Sequence, residues 1–413
     1  MRSSIVAHLP AVAEPRSPVP AITLDLAAGP LVIDLTEGSL VSEFRGPAGV
    51  AGPAAFDLVH KAVSSPGHGP PLAAHVVPGD RVVIAVAGGI PQAGPAVDAL
   101  ESCLMTGGVS AADISVLQAE PLVGSLVAPA PRARVFDPAA DSATAYLFAD
   151  SEARPLYFSR SLVDADVVVA VGGFNWDAAL RGRSPEGELW PAFGRHENRT
   201  GLINAIGRRG QAALRDWRSD LHDVTWQLGV AASLRLVAGE GDSLHAAWFG
   251  LPEEAARLAR HSAGGWRPRI EEPADLAIAT LGGHPATFGD LVRAVSAAAR
   301  LTVPDATICI VGSLAGPPGV VVSRWRQGTP LRPLVREALA SGDPALVADA
   351  IDARLLARSL GDRRLVLLAG LEESVVEELE FGHAADGSVV ERLANQAERV
   401  AVLHQAERMF PRS

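Results

Sequence analysis

The stretch VDADVVVAVGGFNWDAALRGRSPEGELWPAFGRHENRTG, residues 163–201, decides the fold class of this chain. It contains an uninterrupted apolar run at 167–171, made of valine and alanine, that ends at Gly172-Gly173. A short run of this kind is typical of a strand buried on both faces, as in a parallel sheet. The residues that follow are rich in glycine, proline, charge and tryptophan. Because ligands of open α/β sheets gather at the carboxyl ends of strands, we expect the chemistry of the protein here.

The composition is that of a globular, acidic chain. Of its 413 residues, 48% are apolar and 20% are charged, and the net charge is −11. A chain of this length can form two domains with large cores. The negative charge argues against nucleic acid or an anionic membrane as a partner. No run approaches the ~18 uninterrupted apolar residues of a membrane-spanning helix.

The first residues and the cysteines indicate a compartment. Residues 1–21 are rich in proline and alanine and have no long apolar core, so we expect a disordered lead rather than a signal peptide. Cys103 and Cys309 lie in or beside apolar segments that are far apart in sequence. We expect both to be buried free thiols in a cytoplasmic protein. No CxxC pair offers a thiolate zinc site.

Strands and helices alternate along the chain, which predicts an α/β fold. Strand 81–86, helix 93–106 and strand 114–120 form a β-α-β unit, which implies a parallel pair of strands. A linker near 264–272 contains a glycine pair, prolines and charges. The predicted division of the chain is therefore a disordered lead at 1–21, a first domain at 22–263 and a smaller α/β domain at 273–413.

Periodicity and turn residues predict the remaining elements. The segment 22–40 alternates apolar and polar residues around Gly29-Pro30, which predicts a β-hairpin. Helices are predicted at 54–65, 201–220, 244–262, 288–301, about 330–340, 344–360 and 388–408. Strands are predicted at about 145–148, 167–171, 307–316 and 364–370, and two antiparallel strands at 223–240.

Four segments together resemble a known family. They are SPGHGPPLAAHVVPGDRVVIAV at 65–86, DADVVVAVGG at 164–173, LVAGEGDSLHAAWFG at 236–250 and ADLAIATLGGHP at 274–285. In order and spacing they resemble the nickel-dependent lactate racemase family over most of residues 22–320. The resemblance implies two α/β domains, each with a mainly parallel sheet flanked by helices, and a ligand cleft between them.

The resemblance also implies a chemistry. Active members of the family use a nickel pincer nucleotide, which accepts hydride from the α-carbon of a 2-hydroxy acid and returns it to the other face. That reaction requires a general base on each face. It also requires cations for the substrate carboxylate and the cofactor phosphate, and a soft site for nickel.

The family's signatures are altered in this chain. Its acidic-x-Thr-Arg-Pro turn reads AGGIPQ here, and Ile90 stands where the arginine belongs. Its Gly-x-His-Arg turn reads QAEPLVG at 118–124, without a histidine. Near the place of its second histidine stands Asp177, and its Gln-x-x-Lys pair is replaced by Arg293 and Ser296. The usual catalytic histidines are therefore missing.

The lysine that holds the family's cofactor is missing as well. The chain has a single lysine, Lys61, which matches none of the family's lysines. An arginine cannot form the covalent link, because a guanidinium is essentially never deprotonated. Covalent attachment of the nickel pincer nucleotide is excluded, no motif for another cofactor or a metal is present, and the cofactor stays unknown.

Three residues are weak catalytic candidates: Asp177, His196 and His284. His196 is also the one weak metal candidate, and the alternative is a solvated loop histidine beside Glu197 and Arg199. For His284, in the GGHP turn, the alternative is a structural role. For His245 packing between the domains is the alternative to a functional role. A single histidine without neighbouring histidine or cysteine is a weak metal signal.

The candidates for lining the ligand cleft follow the predicted strands. They are Gly88, Gly89, Gly172, Gly173, Asn175, Trp176, Gly282 and Gly283. Glycine pairs can cradle a phosphate at a helix N-terminus, but they are also common turns, and no G-x-G-x-x-G or P-loop is present. Trp176 and Trp190 can stack on a planar ring or pack in the core. Glu186 and Glu188 can form an acid/base pair with Asp177 or belong to a solvated loop.

Two functions remain open. The chain is either a divergent racemase or epimerase of the lactate racemase superfamily acting on a hydroxy acid, or a pseudoenzyme that binds a small molecule in the same cleft. The missing histidines and lysine favour the second function on mechanistic grounds, and the family resemblance favours the first. No G-x-S-x-G turn supports a serine hydrolase.

Overall fold

The structure, a computed structural model, describes residues 21–26, 29–67, 69–119, 133–150, 152–174, 189–282 and 286–409. Up to residue 262 its elements are β1 (Ala21–Leu24), β2 (Leu31–Asp34), β3 (Leu40–Phe44), α1 (Pro53–Ser64), β4 (Val82–Val86), α2 (Ala93–Thr106), β5 (Ile114–Gln118), β6 (Ala133–Val135), β7 (Thr144–Ala149), β8 (Pro155–Ser159), α3 (Arg160–Val163), β9 (Val167–Gly173), α4 (His196–Arg209), α5 (Gln211–Gln227), β10 (Val230–Ala238), β11 (Leu244–Gly250) and α6 (Pro252–Ser262). The remaining elements are β12 (Ala274–Thr280), α7 (Phe288–Ala298), β13 (Thr302–Val311), α8 (Val320–Arg326), α9 (Leu331–Ser341), α10 (Pro344–Leu360), β14 (Arg364–Leu368), α11 (Glu373–Glu378), β15 (Gly382–His383), α12 (Gly387–Gln396) and β16 (Val400–Leu403).

The first sheet has the strand order β11-β10-β9-β4-β5-β6. All its pairs are parallel except the edge pair of β10 and β11. Every residue of β4 and β9 is buried, as the apolar run at 167–171 predicts. Side chains of α1 and α2 pack on one face of this sheet, and those of α4 and α5 pack on the other.

The second sheet has the order β15-β14-β13-β12-β16-β3, and all of its strands are parallel. Helices α7 to α10 cover one face. The hairpin of β1 and β2 covers the other face together with α12. The predicted fold class is therefore confirmed: α/β, with two mainly parallel sheets flanked by helices. Among the residues described, no helix is long and apolar enough to cross a bilayer.

The N-terminal strands lie on the second sheet. The predicted hairpin at 22–40 is present, and its register pairs Ile22 with Ile33. These residues were expected within the first domain, but the hairpin packs on the second sheet and β3 forms the edge of that sheet. The chain consequently crosses between the sheets twice, at 45–52 and at 263–273. The domain division near 264–272 stays a prediction.

Two predictions around residues 223–250 are wrong. Residues 223–227 continue helix α5, because Leu221 and Val224 extend its buried face, and the helix ends before Gly229, which has φ 60°. Residues 244–250, predicted as helix, form strand β11 antiparallel to β10. Alanine-rich segments favour a helix by propensity, but pairing with β10 overrides that preference here.

Two further helix predictions need correction. The predicted helix at 201–220 is two helices, α4 and α5, which meet at Gly210 with φ 54°. The predicted helix at 388–408 is wrong beyond Gln396: residues 400–403 form β16, which lies between β12 and β3. All four residues of β16 are buried, and periodicity cannot distinguish so short an apolar run from a buried helix.

The two cysteines are buried free thiols, as predicted. Burial raises the pKa of the Cys309 thiol to about 12. Cys309 lies in β13, against the face that the N-terminal hairpin covers. Both thiols are therefore packing groups rather than nucleophiles.

Helix α4 joins the two halves of the molecule. The Asn204 Nδ2 donates to the carbonyl of Gly342, at the end of α9, at 2.7 Å. One turn further on, a Cβ on Gly207 would lie 2.6 Å from Val347 Cγ1 and 2.7 Å from Leu339 Cδ2. The missing side chain at Gly207 therefore allows the close approach of α4 to α9 and α10.

This close approach predicts opposite effects for two glycines of the same helix. Gly201→Ala should raise the free energy of unfolding by about 0.5–1 kcal/mol, because alanine is the better helix former and its Cβ meets no atom within 4 Å. Gly207→Ala should lower it, because overpacking costs about 1–3 kcal/mol. Urea unfolding of both variants measures the difference, and an equal gain from both would contradict the proposed contact.

Candidate functional site

The carboxyl ends of both sheets meet at the turn between β10 and β11. We call residues Gly239–Ser243 the bridging turn. From the first sheet, Gln92 Nε2 donates to the carbonyl of Asp242 at 2.5 Å. From the second, the backbone N–H of Gly241 donates to Gln405 Oε1 at 2.8 Å, and Arg408 Nη1 donates to the Gly241 carbonyl at 3.0 Å.

The two glutamines share an unusual backbone conformation. Gln92 has φ 51° and Gln405 has φ 52°, in the left-handed region that side chains other than glycine rarely adopt. Gln92 also accepts a hydrogen bond from the Gly52 N–H at 2.8 Å, and the Gln405 N–H donates to Thr280 Oγ1 at 3.0 Å. Such conformations persist where the surrounding contacts fix them. Each glutamine thus connects the bridging turn to its own sheet.

Charged groups surround the bridging turn in pairs. Arg45 Nη1 lies 2.8 Å from Glu240 Oε1, and a second nitrogen of Arg45 lies 2.8 Å from Glu43. Glu43 in turn lies 2.8 Å from His404 Nε2. Burial, followed by the nearby Arg45, lowers the pKa of His404 below its ordinary value. His404 is therefore neutral near pH 7 and serves as a buried hydrogen-bonding group.

The two crossing segments contact each other beside this turn. The Trp266 indole N–H donates to the Ala238 carbonyl at 2.7 Å, and the ring lies so close that a Cβ on Gly46 would be 2.4 Å from its Cη2. His245 Nδ1 lies 2.7 Å from the Ala48 carbonyl. These contacts fix both connections between the sheets at one place.

The described glycines of the predicted cleft lie at the ends of strands. Gly172 and Gly173 are the last residues of β9, and Gly88 and Gly89 follow the neighbouring parallel strand β4. Gly282 is buried just beyond β12. The predicted residues Asn175, Trp176, Asp177, Glu186, Glu188, Gly283 and His284 lie outside the described residues.

Phe174 connects the first group of glycines with the second sheet. It follows Gly173 directly, and its N–H donates to the Leu236 carbonyl at 2.8 Å. Its side chain packs against the core that contains Leu281 and Leu314, at the carboxyl ends of β12 and β13. The structure therefore brings the ends of β9 and β12 to one junction between the sheets.

The side chains of Ile90 and Gln92 in the turn 87–92 are held by packing and by hydrogen bonds. Ile90, at the position of the family's arginine, is 8% exposed and belongs to the core under α1 and α2. The Gln92 side chain forms hydrogen bonds with Gly52 and Asp242. Neither side chain of this turn offers a cation to a ligand.

The polar residues of α7, the helix after β12, interact within the helix or are buried. Arg293, at the first position of the family's Gln-x-x-Lys pair, forms an ion pair with Asp290. Asp290 also caps α7, since it accepts the Thr287 N–H at 2.7 Å. Ser296, at the second position, is 7% exposed. Arg293 is thus paired within its own helix, and Ser296 is buried.

Glu407 is a buried carboxyl that the sequence did not single out. It is 8% exposed and follows β16, one residue before Arg408. Burial raises its pKa to about 7, with Asp290 acting in the same direction and Arg408 and Arg293 against it. Its Oε2 has no hydrogen-bond partner within the described part of the chain. Residues 400–408 lay in or at the end of the predicted helix at 388–408, so no sequence signal marked this position.

His196 lies at the start of α4, and Trp190 lies in the core of the first sheet. His196 is the exposed first residue of α4, and its N–H donates to the Pro138 carbonyl at 2.9 Å. No group of three or more metal-ligating side chains is found among the described residues, so the metal role of His196 gains no support there. Trp190 is 2% exposed and accepts a hydrogen bond from the Trp217 indole on its carbonyl, which agrees with packing.

Comparison with known proteins gives structural matches only. No family model matches the sequence, and no curated protein matches it. The lactate racemase apoprotein from Thermoanaerobacterium thermosaccharolyticum matches with a TM-score of 0.71 at 16% identity, over 95% of this chain and 100% of that one. A crystal structure of a Thermotoga maritima protein matches with a TM-score of 0.61 at 13% identity, over 87% of this chain and 97% of that one. The chain therefore has a lactate racemase-like fold, as the resemblance implies.

The hydrogen bonds of Gln92 predict that its substitution destabilises the structure around the bridging turn. Gln92→Asn keeps a residue that tolerates a positive φ but shortens the side chain, so both hydrogen bonds should be lost. Hydrogen exchange at Gly52 and around Asp242 should become faster, and the free energy of unfolding should fall by about 1 kcal/mol. Gln211→Asn, at the exposed start of α5, is the control. Unchanged exchange at both sites would contradict the role of Gln92.

The raised pKa of Glu407 predicts that the stability of the protein depends on pH. The folded pKa is raised from 4.5 to about 7, so the folded state loses stability as pH rises through this range. Glu407→Gln removes that loss, and the variant should gain up to about 3 kcal/mol over the parent between pH 4.5 and 7.5. Urea unfolding at several pH values measures this difference, with Glu398→Gln on the surface as the control. A constant difference would show that Glu407 titrates normally.

Proposed function

We propose that this chain is a divergent lactate racemase-like protein that binds a small molecule between its two sheets without racemising it through the family's hydride transfer. The observation that carries the proposal is the turn 87–92. Its Ile90 is part of the core and its Gln92 is bonded to the bridging turn. At the position where the resemblance places the family's arginine, this chain has an apolar side chain that packs in the core.

The charges at the junction support the same proposal. Arg45 pairs with Glu43 and Glu240, Arg293 pairs with Asp290, and Arg408 lies 3.9 Å from Glu407. Arg45 and Arg293 are therefore paired with carboxylates of this chain, and Arg408 lies beside the Glu407 carboxyl. A hydroxy acid needs a cation for its carboxylate, and these groups do not provide a dedicated one.

The residues present do not fit the nickel pincer nucleotide. The one lysine, Lys61, is exposed in the last turn of α1, and α1 packs against α2 and β11. Covalent attachment in the family's manner has no other amine available. The described residues also contain no group of three ligating side chains for nickel.

We also propose that the protein is cytoplasmic. Cys103 and Cys309 are free and buried, which supports a reducing cytoplasm.

The retained two-sheet junction is the observation that favours the second candidate, a racemase or epimerase acting on a hydroxy acid with altered residues. The two candidates differ in whether turnover occurs.

A direct assay separates the two candidates. The purified full chain, expressed together with the enzymes that make the nickel pincer nucleotide, should contain no stoichiometric nickel and should not interconvert D- and L-lactate. Metal analysis, mass spectrometry and a chiral lactate assay measure these outcomes. A lactate racemase produced in the same host is the positive control. Bound pyridinium nucleotide with turnover of lactate would establish the racemase instead.

A further inference from the structure

We propose that Glu407 and Arg408 form a pH-sensitive clasp, in which Arg408 bonds the bridging turn while the Glu407 carboxyl is protonated and moves to that carboxyl when it ionises. The two residues are neighbours in the short turn that follows β16. The proposal concerns the attachment of the second sheet to the bridging turn. It therefore goes beyond the proposed function and does not depend on which ligand the junction binds.

The Arg408 guanidinium contacts both the bridging turn and the Glu407 carboxyl. Its Nη1 donates to the Gly241 carbonyl at 3.0 Å. Its Nε lies 3.9 Å from Glu407 Oε1, which is an electrostatic contact but too long for a hydrogen bond. A small rotation of the Arg408 side chain is enough to exchange the first partner for the second. One guanidinium thus has two acceptors within reach.

The surroundings of the Glu407 carboxyl disfavour its charged form. Its Oε2 is buried and has no hydrogen-bond partner among the residues that the structure describes. Burial is the largest cause that raises its pKa, to about 7. A protonated carboxyl tolerates such a place, whereas a carboxylate needs a cation or several donors. Ionisation of Glu407 therefore requires a cation that approaches it.

The charged groups of α7, which packs against this turn, do not supply that cation. Arg293 already forms an ion pair with Asp290 on the same helix. Asp290 itself raises the pKa of Glu407, and Arg293 lowers it less than Arg408 does. Arg408 is therefore the cation that responds to the ionised carboxyl.

The bridging turn and its neighbours lead to the same conclusion. The turn itself has two carboxyls and no basic residue: Glu240 pairs with Arg45, and Asp242 is exposed. His404 is bonded to Glu43, and burial lowers its pKa, so it stays neutral across the pH range of the clasp. The guanidinium of the clasp is thus the group that connects the two states.

The exchange of partners has a local consequence at one peptide group. The Gly241 carbonyl accepts from Arg408 Nη1 and from Gln405 Nε2, and the Gly241 N–H donates to Gln405 Oε1 at 2.8 Å. When Arg408 moves away, the charged donor is lost and the two Gln405 bonds are left. Because a hydrogen bond from a guanidinium is stronger than one from an amide, the Gly241 N–H should then open to water more often.

Water-exchange NMR of the Gly241 amide in the full chain tests the proposal. After correction for the intrinsic pH dependence of amide exchange, the parent should exchange at least about fivefold faster at about pH 8 than at about pH 6. Glu407→Gln keeps the uncharged form, so its corrected rate should change by less than about twofold over the same range. The exposed Glu398 provides the control Glu398→Gln, which should behave as the parent.

A second variant and a titration test the partner exchange itself. Arg408→Gln lacks the guanidinium and should show the fast corrected exchange at both pH values. The carboxyl carbon-13 signal of Glu407, assigned by its loss in Glu407→Gln, should titrate with the same midpoint as the Gly241 exchange. Three results would overturn the proposal: a parent rate without the pH-dependent rise, the same rise in Glu407→Gln, or slow exchange in Arg408→Gln. Midpoints that differ by more than about one pH unit would overturn it as well.

Discussion

The bridging turn is the constraint on which the arrangement of the two sheets depends. Hydrogen bonds from Gln92 on one side and from Gln405 and Arg408 on the other hold the same few peptide groups. Both glutamines adopt a left-handed backbone, which is tolerated because several bonds fix each of them. The carboxyl ends of parallel strands lie at one edge of their sheet. Because the bridging turn is bonded to both sheets, these two edges face a common junction.

The chain reinforces this junction by crossing it twice. Strand β3 and the N-terminal hairpin belong to the second sheet, and the chain then enters the first sheet and leaves it again before β12. The two crossings touch where the ring of Trp266 lies against Gly46. Motion of one sheet relative to the other therefore has to be accommodated by two packed segments together, which favours a stable junction over freely moving lobes.

The fold of this chain and the chemistry at its junction depend on different atoms. The fold depends on buried strands such as β4 and β9, whose apolar side chains pack helices on both faces. The chemistry of lactate racemisation depends on a few polar side chains at the strand ends, where substitution leaves the core intact. Ile90 packs in the core near the end of β4, and Arg293 forms an ion pair with Asp290 on the helix after β12. A lactate racemase-like fold at 16% identity is consistent with this dependence on different atoms.

The sequence by itself determined the fold class, the β-α-β unit around helix 93–106, the hairpin at 22–40 and the strand at 167–171, because buried strands and amphipathic helices have local patterns. Through the family resemblance it also predicted that the usual catalytic histidines and the cofactor lysine are missing. It could not determine that 223–227 is helix, that 244–250 and 400–403 are strands, or that the hairpin joins the second sheet, since pairing partners are distant in sequence. Only the tertiary structure placed Gln92, Gln405 and Glu407 around one junction, because contact and burial depend on packing between elements that no local pattern records.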